Sequence, residues 1–224
     1  MQNLAVDNQL PGIYPKEQST PSVRIDTFPD NQTLYNGRMW QNPYFEIREN
    51  QFLFSQMFLP GSVTMRGTSF SHVSIRYDIF NDEIQIPYYS GGIIQLNKEL
   101  VDSFSIVFSG KEYRFVNIPA DSSGGPKGYF NLLYHGTSEL LVRYLKKIER
   151  LSVEGKYDGF YELHKIFIKK DNQLHPIRKK KDAVILASDK RAARKFLRSA
   201  GYDISKNEPE SFLPLIQFID RRGQ

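Results

Sequence analysis

Residues 62–86 read Ser62-Val63-Thr64-Met65-Arg66-Gly67-Thr68-Ser69-Phe70-Ser71-His72-Val73-Ser74-Ile75-Arg76-Tyr77-Asp78-Ile79-Phe80-Asn81-Asp82-Glu83-Ile84-Gln85-Ile86, and this stretch decides the fold class. Val63 and Met65 face one way, and Phe70, Val73, Ile75 and Tyr77 mark the returning strand. Ile84-Gln85-Ile86 alternates with the period of two expected of a half-buried strand. Gly67 turns the chain between the first two runs, and Asn81-Asp82 is a turn dipeptide before the third. Connections this short join antiparallel neighbours, because parallel strands need long crossovers. The stretch therefore predicts a meander.

The pattern continues in both directions. Downstream, Ile93–Leu96 is a strand, and Asn97 caps a single helical turn through Leu100. Phe104–Phe108 and Tyr113–Val116 flank a turn at 109–112, and 120–128 is a Gly- and Ser-rich loop. Phe130–Tyr134 and Leu140–Leu145 form a hairpin around His135-Gly136-Thr137, and Phe160–Ile168 with Leu174–Ile177 form the last one. Upstream, Leu34–Trp40 reads as a strand interrupted by a turn, and an apolar stretch around Phe52–Leu59 ends at Pro60-Gly61. Residues 1–33 carry four prolines and little periodicity, which predicts an extended or disordered lead-in.

After Arg178 the period lengthens. Helices are expected over 182–187, 188–200 and 207–220, with Ser188 and Asn207 as caps and Gly201 beyond the second. Phe212, Leu215, Ile216 and Ile219 make a stripe that should pack on the sheet. The expected fold is α+β, mainly β: an antiparallel meander over 34–178, curled towards a barrel or half-barrel. A helical cap over 179–224 completes it.

Composition narrows the chemistry. The 224 residues include 13 Tyr and 16 Phe, which suit a pleated surface, and no Cys. Disulfides, thiolate metal sites and a cysteine nucleophile are thereby excluded. No apolar run approaches the roughly 18 residues that span a bilayer. The first residues, Met1–Asn8, show neither the basic nor the apolar region of a signal peptide.

The candidate chemical motifs have plainer structural readings. His164 and His175, helped by Glu162 or Asp171, match no metal-ligand spacing and read as sheet histidines. His72 sits among alternating strand residues and His135 at a turn. The acidic turn Asp78, Asn81, Asp82 and Glu83 lacks the spacing of a calcium loop and suits side-chain-to-backbone turn bonds. Gly124–Gly128 lacks the Ser/Thr and helix of a phosphate loop. No nucleophile elbow and no paired zinc histidines occur. The expectation is no catalytic residue, no metal and no cofactor.

Charge gives the one functional candidate. From His164 to Ala200 there are twelve Lys and Arg against three Asp, a net of +9 in a chain of net +5. The candidate surface is Arg178, Lys179, Lys180, Lys181, Lys190, Arg191, Arg194, Lys195 and Arg198. It suits an acidic protein partner or anionic lipid headgroups. The absence of interleaved aromatics disfavours nucleic acid. A solvated outer face of a small helical cap is the competing reading.

From Leu34 onward the chain resembles a broad family of uncharacterised exported proteins of Bacteroidota. The resemblance rests on Tyr35, Gly37, Gly61, Val63, Gly67, Phe70, Val73, Ile75, Arg76, Tyr77 and Asp78, and on later pieces at Ile94-Gln95-Leu96, Val101, Phe104, Gly128-Tyr129-Phe130, Leu133 and Tyr134. A lysine-rich stretch ahead of short helices follows. The resemblance covers about five sixths of the chain and implies export to the periplasm or cell envelope, but brings no catalytic residues. The expected function is a non-catalytic, periplasmic or outer-membrane-associated accessory. It would bind a protein partner, such as an outer-membrane or secretion complex, through an exposed sheet edge or the basic cap. A barrel-like module binding a small molecule or glycan among its aromatics is the second reading, and a hydrolase assembled from separated residues is the third.

Overall fold

A computed structural model describes residues 33–119, 125–199, 201 and 203–223. The expectation for 1–33 falls almost entirely outside these residues. Eleven strands form one antiparallel sheet: β1 (Gly37–Met39), β2 (Leu59–Met65), β3 (Thr68–Asp78), β4 (Glu83–Pro87), β5 (Ile93–Leu96), β6 (Val101–Phe108), β7 (Lys111–Ile118), β8 (Gly128–His135), β9 (Glu139–Val153), β10 (Tyr157–Lys170) and β11 (Gln173–Ile177). Their spatial order is β1-β5-β4-β3-β2-β6-β7-β8-β9-β10-β11. Among the described residues the sheet is not closed, and β1 and β11 are its two edges.

The sheet curls instead of closing. The segment Arg48–Leu53 ties its two halves: the Arg48 amide donates to Asp158 O (2.9 Å), and the Leu53 amide to Tyr77 O (2.9 Å). Directly across, the Lys146 amide of β9 donates to Ile79 O at 3.2 Å, and Lys146 Nζ reaches Asn50 O and Phe52 O. The resulting interior is filled by rings. Phe104 stacks on Phe115 at 4.6 Å, and Tyr77 meets both edge-on, at 5.1 and 5.3 Å. Such pairs add about 0.5–1.5 kcal/mol each beyond the apolar area they bury.

Three helices follow: α1 (Lys180–Ile185), α2 (Lys190–Ser199) and α3 (Leu213–Gly223), the last preceded by a 3-10 turn at Pro209–Phe212. Phe212, Leu215, Ile216 and Ile219 are buried against Leu140, Ile166, Ile168 and Ile177 of β9–β11, as the stripe predicts. Leu140 lies two and four residues from Val142 and Tyr144, so the helices cover the same face as the ring core. Phe130, Leu141 and Phe167 pack on the opposite face.

Four local expectations need correction. Gln85 is fully buried rather than solvent-facing, because Arg76 donates to its Oε1 and is itself covered by Phe52, Phe58 and Trp40. Strands β9 and β10 are much longer than their apolar runs, since they stay paired through the polar region 146–159. Helix α2 is capped by Asp189, whose carboxylate accepts from the Ala192 amide at 2.9 Å, and not by Ser188. The final helical segment starts after Glu208 with Pro209 in its first turn, without a side-chain cap from Asn207.

Candidate functional site

All nine cations of the basic tract are exposed. Only some of them converge. Lys180 and Lys181 of α1 and Arg194 and Arg198 of α2 rim a groove of about 480 Å3, with Val184, Ile185 and Leu197 as its apolar lining. Ile185 is 55% exposed, although α1 and α2 otherwise bury Ala183, Val184 and Ala193 in the cap. Arg178 and Lys179 precede α1 and line a separate depression beside β10 and β11. Lys190, Arg191 and Lys195 belong to α2 but lie outside the groove. The tract is thus two surfaces with a flank, and not one stripe.

Four of the nine charges oppose the helices that carry them, while Arg198 in the last turn of α2 suits its dipole. Lys180 and Lys181 open α1, and Lys190 and Arg191 open α2, with no acid in the first turn of α2. Cations there face the positive end of the helix dipole, a placement that costs about 0.3–1 kcal/mol at a surface. The two nearby carboxylates are occupied by backbone. Asp182 accepts from the amides of Arg178 and Lys179, both at 3.0 Å, and Asp189 caps α2. The Arg178 amide above all, with Lys179 and Lys181 nearby, holds the Asp182 carboxyl below its usual range. Among the described residues no ion pair joins any of the nine cations to a carboxylate.

The other candidates resolve into structure. His164 lies opposite Tyr144 and His175 opposite Ile168, so four residues of β10, about 13 Å, separate them. His164 Nε2 instead contacts Lys206 O at 2.7 Å. No group of three His, Asp or Glu side chains able to hold a metal occurs among the described residues. In the acidic turn, Asp78 Oδ1 accepts from the Phe80 and Asn81 amides, both at 2.9 Å. Asp82 is 8% exposed and accepts from Tyr77 Oη at 2.7 Å. It also pairs with Lys98 and, at 3.6 Å, with Arg143. This turn is a fastener between β3–β4 and β8–β9. Gly125–Lys127 form no element, Gly128 opens β8, and Gly124 lies outside the described residues.

The apolar lining of the cap groove was only half legible, since Leu197 reads as a core position while Ile185 gives no sign of exposure. A second groove, beside Tyr35, Tyr88 and Tyr89, was missed. Its one signal is the adjacent pair Tyr88-Tyr89 directly after Pro87, which ends β4 and leaves two large rings outside the pleat.

The chain matches no protein-family model, no curated protein and no solved structure. No helix among the described residues is long and apolar enough to cross a membrane.

Proposed function

We propose that the protein is a non-catalytic binding protein whose α1–α2 cap docks an acidic, amphipathic segment of a protein partner. The observation that carries this reading is the pairing of an apolar groove with four rim cations in a cap whose nearby carboxylates, Asp182 and Asp189 among the described residues, are spent on helix starts. Lys180 and Lys181 oppose the dipole of α1, and among the described residues none of the four rim cations pairs with a carboxylate; stability costs of this kind concentrate where a surface works. The exposed Ile185 gives a partner's apolar side chain a contact, and the rim selects carboxylates by attraction. The resemblance to exported proteins makes the cell envelope the compartment we propose for this encounter.

The test is crosslinking in the native host, followed by affinity measurement with the recovered partner. Reversing Lys181, Arg194 and Arg198 to Glu should weaken binding about 100-fold or more, since three attractions of up to ~1 kcal/mol become repulsions. Ile185→Asp should weaken it independently. Undiminished binding by the triple variant would refute the reading. Retention by phosphatidylserine vesicles with no protein recovered would replace the protein partner by a lipid surface.

A further inference from the structure

β3 and β4 pair over only three residues, Arg76–Asp78 with Glu83–Gln85. Beyond them the strands part: β3 continues against β2, while Ile86 and Pro87 follow β5. Along Ser69–Ser74 no strand lies on the second edge of β3 among the described residues. Pro87 brings no amide with which to extend a ladder. The parting leaves a groove of about 540 Å3, a size common to small-molecule sites.

One wall of this groove is aromatic. Tyr88 and Tyr89 touch at 4.1 Å between centroids, and Tyr35 meets them edge-on at 5.8 and 5.9 Å. Their positions are held by backbone: the Tyr88 amide donates to Gly92 O, the Gly91 amide donates to Tyr88 O, and the turn before β1 is tied by Asn97 to Asn36 O. Tyr89 is 62% exposed.

The opposite wall is hydroxylic, and a bulge makes it so. Gly61 pairs with Val73 and Val63 with Phe70, so two residues of β3 stand against one of β2. The extra residue lets Phe70 and Val73 both turn to the core while Ser71 and His72 both face out. His72 takes φ +56° to do this, an uncommon left-handed conformation for a residue other than glycine. Ser74 completes the wall, and Ser69 is bonded to Thr64 at 3.0 Å.

Among the described residues no Asp, Glu, Lys or Arg lines this groove, in a chain where a quarter of the residues are charged. Phosphorylated, carboxylated and cationic ligands would find no counter-charge there. A fixed aromatic wall opposite hydroxyl and imidazole groups suits a ligand with apolar C–H faces and many hydroxyls. We infer that the split between β3 and β4 is a binding site for a neutral oligosaccharide, with Tyr89 and Tyr35 as the stacking surface and Ser71, His72 and Ser74 as hydrogen-bonding partners. The same bulge disfavours a peptide strand in this place, because it interrupts the regular spacing of edge donors and acceptors.

The experiment is saturation-transfer NMR on the full chain with cellotriose, maltotriose, xylotriose, laminaritriose, mannotriose and chitotriose. Trigalacturonic acid and an alternating Ser/Val peptide serve as comparisons. At least one neutral sugar should receive saturation, and Tyr89→Ala or Tyr35→Ala should weaken it tenfold or more. Because Tyr89 is exposed, Tyr89→Ala should keep the wild-type melting temperature, and the charge-reversed cap variant should bind the sugar normally. The inference is overturned if no neutral sugar is bound, if Tyr89→Ala binds as well as wild type, or if only the acidic sugar or the peptide binds.

Discussion

Removing the Asp82 carboxylate should be among the most damaging single changes in this protein. Asp82 receives the buried Tyr77 hydroxyl at 2.7 Å, and Lys98 and Arg143 converge on it. In Asp82→Ala the Tyr77 hydroxyl, on a side chain 1% exposed, loses its partner, which costs about 1–3 kcal/mol. Arg143, whose Nε already lacks a partner, loses its counter-ion, and breaking such a pair adds ~1–2 kcal/mol within the usual total of roughly 3–5. Lys98 contributes less, because it is partly exposed and keeps its bond to Asp82 O at 3.0 Å. Residue 82 also has φ +60°, a conformation Asp and Asn adopt more readily than Ala, worth ~1 kcal/mol more. The expected loss is about 4 kcal/mol, against a typical total of about 5–15. In urea, with a slope near 2–3 kcal/mol/M, the midpoint should fall by roughly 1.5 M at unchanged slope. Asp82→Asn, which keeps the backbone preference and an acceptor for Tyr77, should lose about half as much. A Tyr77→Phe/Asp82→Ala double-mutant cycle should show coupling of about 0.5–3 kcal/mol. A midpoint for Asp82→Ala within about 0.3 M of wild type would refute the claim that this cluster fastens the two halves of the sheet.

Two further outcomes follow from the same geometry. Burial raises the Asp78 carboxyl above its usual range, against the opposing effect of the Asn81 and Phe80 bonds. The folded state therefore holds that proton more tightly than the unfolded chain, so this group adds stability as pH falls from neutral towards the ordinary carboxylate range. Urea midpoints taken between pH 7 and 4 should show Asp78→Asn losing part of that rise, and an unchanged profile would count against it. At Gly61, an added Cβ would run into the carbonyl oxygen of Ser105 on β6 and crowd Ile75. Gly61→Ala should thus cost at least about 2 kcal/mol by calorimetry, more than the small penalty a surface substitution carries.

Much of the strand order in the sheet was already local information. The alternation at Val63–Met65 and at Val73–Tyr77, Gly67 with φ +77° and the Asn97 cap each act within a few residues, and each appears where the sequence puts it. The long β9–β10 hairpin was not legible, because Lys146, Lys147, Glu149 and Arg150 carry no apolar period, and pairing there is set by the partner strand. The inward turn of Gln85 likewise depends on Arg76 and on rings from 40–58 that close over it.

The site divides in the same way. Sequence alone placed a dense positive charge after Arg178 and predicted helices to carry it, since charge density and helical period are properties of adjacent residues. Only the fold decided that Lys180, Lys181, Arg194 and Arg198 would share a groove while Lys190, Arg191 and Lys195 would not, because that depends on how α1 crosses α2. The tyrosine groove, beyond the signal of the Tyr88-Tyr89 pair, was a product of tertiary structure. It exists because one bulge and one proline let two hydrogen-bonded strands part, and its walls bring together residues 34–35, 69–74 and 86–89.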